Sequence, residues 1–269
     1  MSKAFDPTTL YGQLGLQDGP LIVDLRTAAE LEHSGEFIPT AVRVEPDGIE
    51  RWCRRLTTHR QVAMYSSDDA ASNAMATQLE SRGISCGTLT GGFHEWRRKG
   101  LPTVRIRPEY RVPGSSRWVT RERPKIDRLA CPWLVRRFID PHAVFFYVPA
   151  QAVRAEAAGL AAEPYDIADV TFSHRGPRCS FDAFLDEFGL HDPVLDQLAD
   201  IVRAADTATL ERSREAPGLL AISLGMSATI RDDILLLEQA MFVYDSLYAW
   251  CKTARDETHS WPQTKGVPA

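Results

Sequence analysis

Along the first hundred residues the chain alternates short apolar runs with amphipathic stretches. LIVDLR (21–26), AVRVEP (41–46), QVAMYS (61–66) and ISCGTLTGG (84–92) have the length and content of strands. Between the last two, SDDAASNAMATQLESRG offers serine and aspartate for an N-cap, Ala71, Met75 and Leu79 at helical spacing, and Gly83 as a stop. Strands separated by helices predict a parallel sheet covered on both faces, an α/β domain. In such sheets ligands sit beyond the C-terminal strand ends, which directs attention to the loop after Tyr65.

The pattern then changes. Residues 106–119, rich in proline, glycine, serine and arginine, read as a linker, and longer helical periods follow. KIDRLACPWLVRRFID presents Ile126, Leu129, Ala130, Trp133, Leu134 and Phe138 on one helical face, with Pro132 predicting a kink or a start near residue 131. HAVFFYVP (142–149) reads as a strand, and DVTFSHRGPRC (169–179) as a strand and then a turn. SFDAFLDEFGL, DPVLDQLADIVRAAD, EAPGLLAISLGM and IRDDILLLEQAMFVYDSLYAWCKT read as helices. The expected organisation is an α/β domain over 8–105, a mainly α (α+β) domain over 120–255, and a flexible tail over 256–269.

Composition adds limits. An apolar content of 44% in 269 residues supports two cores. No apolar run reaches membrane-spanning length and MSKAFDPTTLYGQ has no apolar leader region, so the expectation is a cytoplasmic protein without a membrane partner. Five scattered cysteines, none spaced as CxxC, argue against a disulfide framework or a zinc ribbon. The net charge of -5 conceals -1 over 1–110, +5 over 111–140 and -9 over 141–269. The basic segment suits an anion or simply a solvated linker, and its acidic flank argues against a nucleic-acid partner.

Candidate chemistry concentrates in the second half. Asp127 and Cys131 lie one helical turn apart, and Glu238 and Asp245 share a face seven residues apart. The turn from His174 to Cys179 gathers an imidazole, Arg175, Arg178 and a thiol. His174 with Asp127, Glu238 and Asp245 would form a mixed imidazole and carboxylate set suited to a divalent transition metal such as iron, manganese or zinc. Arg128, Arg136, Arg175 and Arg178 are suited to holding an oxyanion, which Cys131, Cys179 or Cys251 would then reduce. The competing reading makes Cys131 and Cys251 packed core thiols and Asp127 half of a structural ion pair with Arg128 or Arg137.

Three segments, LIVDLRTAAELEHSGEFIPTAVRV, AMYSSDDAASNAMATQL and GGFHEWRRKGLPT, occur in the order seen in rhodanese-like domains, which residues 8–105 resemble. The resemblance implies a persulfide mechanism at a loop of the form Cys-x-x-Gly-x-Arg-Ser. In this chain Ser66, Asp69 and Ala71 stand where that loop has its cysteine, glycine and arginine. A serine hydroxyl does not hold a transferable sulfur, and aspartates at positions 68 and 69 would repel an anionic donor. His59 and His94 have no spacing that would make Ser66 a triad nucleophile. The module therefore reads as a pseudoenzyme kept for scaffolding or for a protein partner.

RPKIDRLACPWLVRRFIDPHAVFFYVP, TFSHRGPRCSFDAFLDEFGL, LADIVRAADT, APGLLAISLGMS and YDSLYAWCK together resemble the C-terminal domain of the chromate-resistance protein B (ChrB) family. That resemblance implies chromate as the oxyanion and a stress-response role. Some members act as chromate-responsive regulators through an N-terminal DNA-contacting region, whose place here is taken by the rhodanese-like module. The expected function is an accessory or sensor protein of chromate resistance. The alternatives are a metal- or thiol-dependent oxidoreductase acting on chromate, a sulfurtransferase-related protein, or a chromate-responsive regulator.

Overall fold

A computed structural model describes residues 3–16, 19–54, 60–67 and 69–255, without the side chains of Pro46, Glu50 and Cys53. His59, Asp68 and the expected tail over 256–269 lie outside the described residues.

The first domain runs β1 (Lys3–Phe5), α1 (Pro7–Gly12), β2 (Leu21–Asp24), α2 (Ala28–Ser34), β3 (Glu36–Phe37), β4 (Val42–Arg43), α3 (Ile49–Cys53), β5 (Val62–Tyr65), α4 (Asp69–Glu80), β6 (Cys86–Leu89), α5 (Gly92–Arg98) and β7 (Val104–Arg105). Asp6 caps α1 by accepting from the backbone N–H of Thr8 and Thr9, and a reciprocal Thr27–Glu30 box opens α2. β1, β6, β5, β2 and β4 form one sheet in that order with every pairing parallel, and β3 pairs antiparallel with β7. Strand alternation sends Val23, Val62 and Met64 to the face packed with Ala76 and Leu79 of α4. Ile22, Ala63 and Tyr65 point the other way, into a core shared with Leu10, Phe93 and Trp96. The buried face of α4 is Ser72, Ala76 and Leu79, whereas Ala71 is exposed and Met75 half-buried, a rotation of one position from the periodicity expected.

The second domain comprises β8 (Arg117–Arg121), α6 (Asp127–Leu134), β9 (Val144–Val148), α7 (Val153–Leu160), β10 (Glu163–Pro164), α8 (Ser180–Phe188), α9 (Pro193–Asp206), α10 (Ala216–Thr229) and α11 (Asp233–Ala249). A small parallel sheet, ordered β10-β8-β9, carries α7 on one face through Val119, Val153 and Ala157. On the other face Trp118 meets Phe172 and Phe184, each with ring centroids 4.9 Å away. Residues 106–119 are not an open linker: Val112 and Trp118 are buried and β8 begins at Arg117. The strand expected at 169–173 is reduced to a single bridge between Tyr165 and Phe172.

Pro132 neither starts α6 nor ends it. The helix opens at Asp127, and because Pro132 has no N–H the Arg128 carbonyl accepts instead from the hydroxyls of Tyr165 (3.2 Å) and Tyr147 (3.4 Å). A wide π turn over Val135–Ile139 then carries the chain away.

The two domains share a core, the cluster that holds Ile22 and Tyr65 running on through Trp118, Trp133 and Tyr248. Polar contacts fix the junction: the Tyr11 hydroxyl donates to Asp192 (2.8 Å), and Lys252 Nζ donates to the carbonyls of Leu14 (2.9 Å) and Tyr11 (3.2 Å). Gly15, at φ +72°, has no room for a side chain; a Cβ there would lie 2.6 Å from Phe138 Cζ and 2.9 Å from Tyr248 Cε1. Gly15→Val is expected to cost about 3 kcal/mol through strain and overpacking. Thermal unfolding should lose both domains in one lowered transition; two separate transitions would contradict a shared core. Among the described residues no helix is long and apolar enough to cross a membrane.

Candidate functional site

The C-terminal end of β5 leads into the loop singled out by the sequence. Ser66 is buried there, its carbonyl accepting from the Phe93 N–H (2.9 Å), while the Ser67 hydroxyl donates to Glu30 Oε1 (2.7 Å). Hydrogen bonds from Ser67 and then Thr27 hold the Glu30 carboxyl below its usual range, so a negative charge stands at the lip of the loop. Asp69 opens α4 and Ala71 faces solvent. His94 is exposed. Beneath the loop, Arg26 and Asp24 form a buried pair (2.5 Å) that the Tyr65 hydroxyl joins at 2.7 Å, and the Arg26 guanidinium lies 3.9 Å from the centre of the Phe93 ring. The pair is spent on structure.

The second domain gathers a different set. His174 precedes the Arg175–Arg178 hairpin, and its Nε2 lies 3.1 Å from Asp206 Oδ2, 3.3 Å from Asp127 Oδ2 and 3.5 Å from Asp166 Oδ1. Each carboxylate is positioned by a separate element. Asp127 begins α6 after Ile126, whose strained backbone (φ +40°) is anchored by Ser223 and Tyr244. Asp166 follows β10 in the left-handed conformation (φ +53°), and Asp206 ends α9. Ser180, at the start of α8, gives its N–H to Asp127 (3.3 Å) and its hydroxyl to Asp166 (2.9 Å).

One N–H cannot satisfy three carboxylates, and the protonation of the site reflects that deficit. Hydrogen bonds to Asp127 and Asp166 push His174 up to about 10. Burial, then the charges of Asp127 and Asp166, push Asp206 up to about 7. Asp166 goes the other way: burial alone would raise its pKa, but hydrogen bonds from His174 and Arg121 outweigh burial and hold it below its usual range. Arg121 Nη2 and Arg128 Nε reach Asp166 Oδ2 at 2.6 and 3.2 Å. The site is strongly acidic, half open at His174, and compensated from one side only.

Of the four expected metal ligands, Asp127 and His174 come together and Glu238 and Asp245 do not. Glu238 is exposed and paired with Arg136 (2.6 Å). Asp245 is buried against Trp133 Nε1 (2.8 Å) and both arms of Arg137 (2.8 and 2.7 Å), since its face of α11 packs on α6 and the π turn. Asp206 takes their place: ligand atoms of Asp127, His174 and Asp206 lie within 4.8 Å of one another, the one such group among the described residues.

The four arginines expected to cage an oxyanion point to different places. Arg175 bonds Glu187 (2.6 Å), Arg178 grips Asp186 with both arms (2.8 and 3.0 Å), Arg136 takes Glu238, and Arg128 takes Asp166. Each guanidinium already has a carboxylate. Cys131 and Cys179 are buried beside the acidic cluster, where burial and the charge of Asp127 push both thiols well above their usual range. Cys251 is also buried, and pushed up to about 11 for the same first reason. Thiols so protonated are poor nucleophiles and poor reductants.

Residues 7–99 match the family model of the rhodanese-like domain, and residues 118–251 match that of the ChrB C-terminal domain. Protein ChrB of Cupriavidus metallidurans is 37% identical over 142 residues, covering 51% of this chain and 41% of that protein, so this chain spans less than half the length of that curated relative. Among solved structures, a rhodanese-related protein from Thermoplasma volcanium is 19% identical over 38% of this chain and 97% of its own, with a TM-score of 0.34. A thiosulfate sulfurtransferase from Pseudomonas aeruginosa is 25% identical over 38% of this chain and 19% of its own, with a TM-score of 0.34. The chain thus joins a rhodanese-like domain to a C-terminal domain of the ChrB family.

Proposed function

We propose that this is a cytoplasmic accessory or sensor protein of chromate resistance, whose ChrB-type domain binds a divalent transition metal and whose rhodanese-like module is catalytically silent. The convergence of Asp127, His174 and Asp206 within 4.8 Å carries the metal reading. An imidazole with two carboxylates is a donor set for manganese, iron, cobalt or zinc. A dication would also supply positive charge to Asp127 and Asp206, which share the His174 imidazole. Asp166, braced by Arg121, Arg128 and Ser180, would steer the imidazole rather than complete the set. A metal centre open on the His174 side would offer an oxyanion such as chromate a cationic partner. A thiol-based reduction has less support, since Cys131 and Cys179 are buried and held protonated.

The silent module rests on Ser66 and on the charge at its loop. Purified protein is expected to form no thiocyanate from thiosulfate and cyanide above the uncatalysed background. Ser66→Cys is expected to stay at background as well, because Glu30 and Asp69 oppose both a thiolate and an anionic donor. Turnover by the unmodified chain would refute the silent reading. Turnover by Ser66→Cys alone would show that the loop retains its anion cradle.

A further inference from the structure

Helix α10, APGLLAISLGMSAT, has no charged residue, yet it lies on the surface. Its buried side consists of Ala216, Leu219, Ser223 and Ser227. There Ser223 receives the Ile126 N–H (2.9 Å) and Ser227 receives Arg123 (3.3 Å). Ile222 and Leu224 are instead 49% and 46% exposed. Of the six large apolar side chains exposed among the described residues, five belong to α10 and the following α11, the others being Ile234, Leu235 and Phe242. Apolar surface concentrated on two successive helices, rather than scattered singly, marks a contact face.

We infer that the outer face of α10 is the surface on which a second copy of this chain docks. Two features suit that occupant. In a two-fold contact a charge on the axis would meet its like, and α10 carries no charge there. Its ends also match in one orientation. Arg214 and Glu215 stand just before the helix and Arg231 and Asp232 just after it. An antiparallel copy places Glu215 beside the partner's Arg231 and Arg214 beside the partner's Asp232. At the middle of the face, between Ile222 and Leu224, are Ala221 and Gly225, and a Cβ built at Gly218 or Gly225 meets nothing. Two backbones can therefore approach closely, as they do where small residues line a helix contact.

Sedimentation velocity on the full chain tests this. The wild type is expected at twice its 30.0 kDa mass across a micromolar concentration series. Ile222→Asp is expected to raise the dimer dissociation constant about 100-fold, each dimer then burying two unpaired carboxylates, while far-ultraviolet circular dichroism stays unchanged. Ile222→Cys near the midpoint of α10 gives an independent check, because oxidation should link two chains through that position. A monomeric wild type, a dimer indifferent to Ile222→Asp, or an Ile222→Cys chain that never cross-links would overturn the inference. So would a monomer that instead floats with phosphatidylcholine vesicles, which would give the face to a lipid surface.

Discussion

Exchanging His174 for alanine is expected to lower affinity for a divalent transition metal by about 100-fold or more, measured by competition with a chromophoric chelator. Asp127→Asn and Asp206→Asn should do the same, since each removes one of three donors that different elements bring together. Arg121→Gln should weaken binding by about tenfold, because it loosens Asp166 without touching a donor. Glu238→Gln is the control. Its carboxylate pairs with Arg136 at the surface, so the affinity should not change. If Glu238→Gln and His174→Ala had equal effects, the metal would lie elsewhere.

The second large effect concerns the rhodanese-like module. Asp24→Ala is expected to destabilise the folded chain by about 3–5 kcal/mol, read as a drop in the urea midpoint, because it strands the Arg26 guanidinium in a core where it is 1% exposed. The Ser34 hydroxyl and the Glu36 carbonyl, each 2.9 Å away, hydrogen-bond Arg26 without neutralising it. Replacing both partners, Asp24→Leu with Arg26→Met, should recover most of the loss. A mild Asp24→Ala would mean that water reaches Arg26. The pair also ties β2 to Tyr65 and Phe93, since Asp24 accepts from the Tyr65 hydroxyl and Arg26 lies over the Phe93 ring.

Particular residues show how much of this was legible beforehand. The parallel sheet of the first domain was, because its strands are short, nearly continuous apolar runs, which is the form that burial on both faces gives a strand. The first turn of α6 was not: Pro132 signals a break, and the sequence does not disclose that Tyr147 and Tyr165 will serve the carbonyl it leaves unbonded. Asp127 and His174 were visible as chemistry-bearing residues, but Glu238 and Asp245 were misleading. A seven-residue spacing establishes a shared helix face without saying what that face meets, and it meets Arg136, Arg137 and Trp133. Asp206 had a signal that could have been used. A carboxylate on the last residue of a helix sits at the negative end of the helix dipole, a costly place unless a cation or proton is provided. Asp166 offered little, since its role depends on a left-handed turn and on arginines distant in sequence.

The metal centre proposed at Asp127, His174 and Asp206 is most directly tested by equilibrium dialysis of the metal-free full chain against Mn2+, Fe2+, Co2+ and Zn2+ in turn, with His174→Ala alongside. At least one of these ions should be retained at one equivalent by the wild type and lost from the variant. Retention by neither protein of any of the four, or equal retention by both, would contradict a metal centre there.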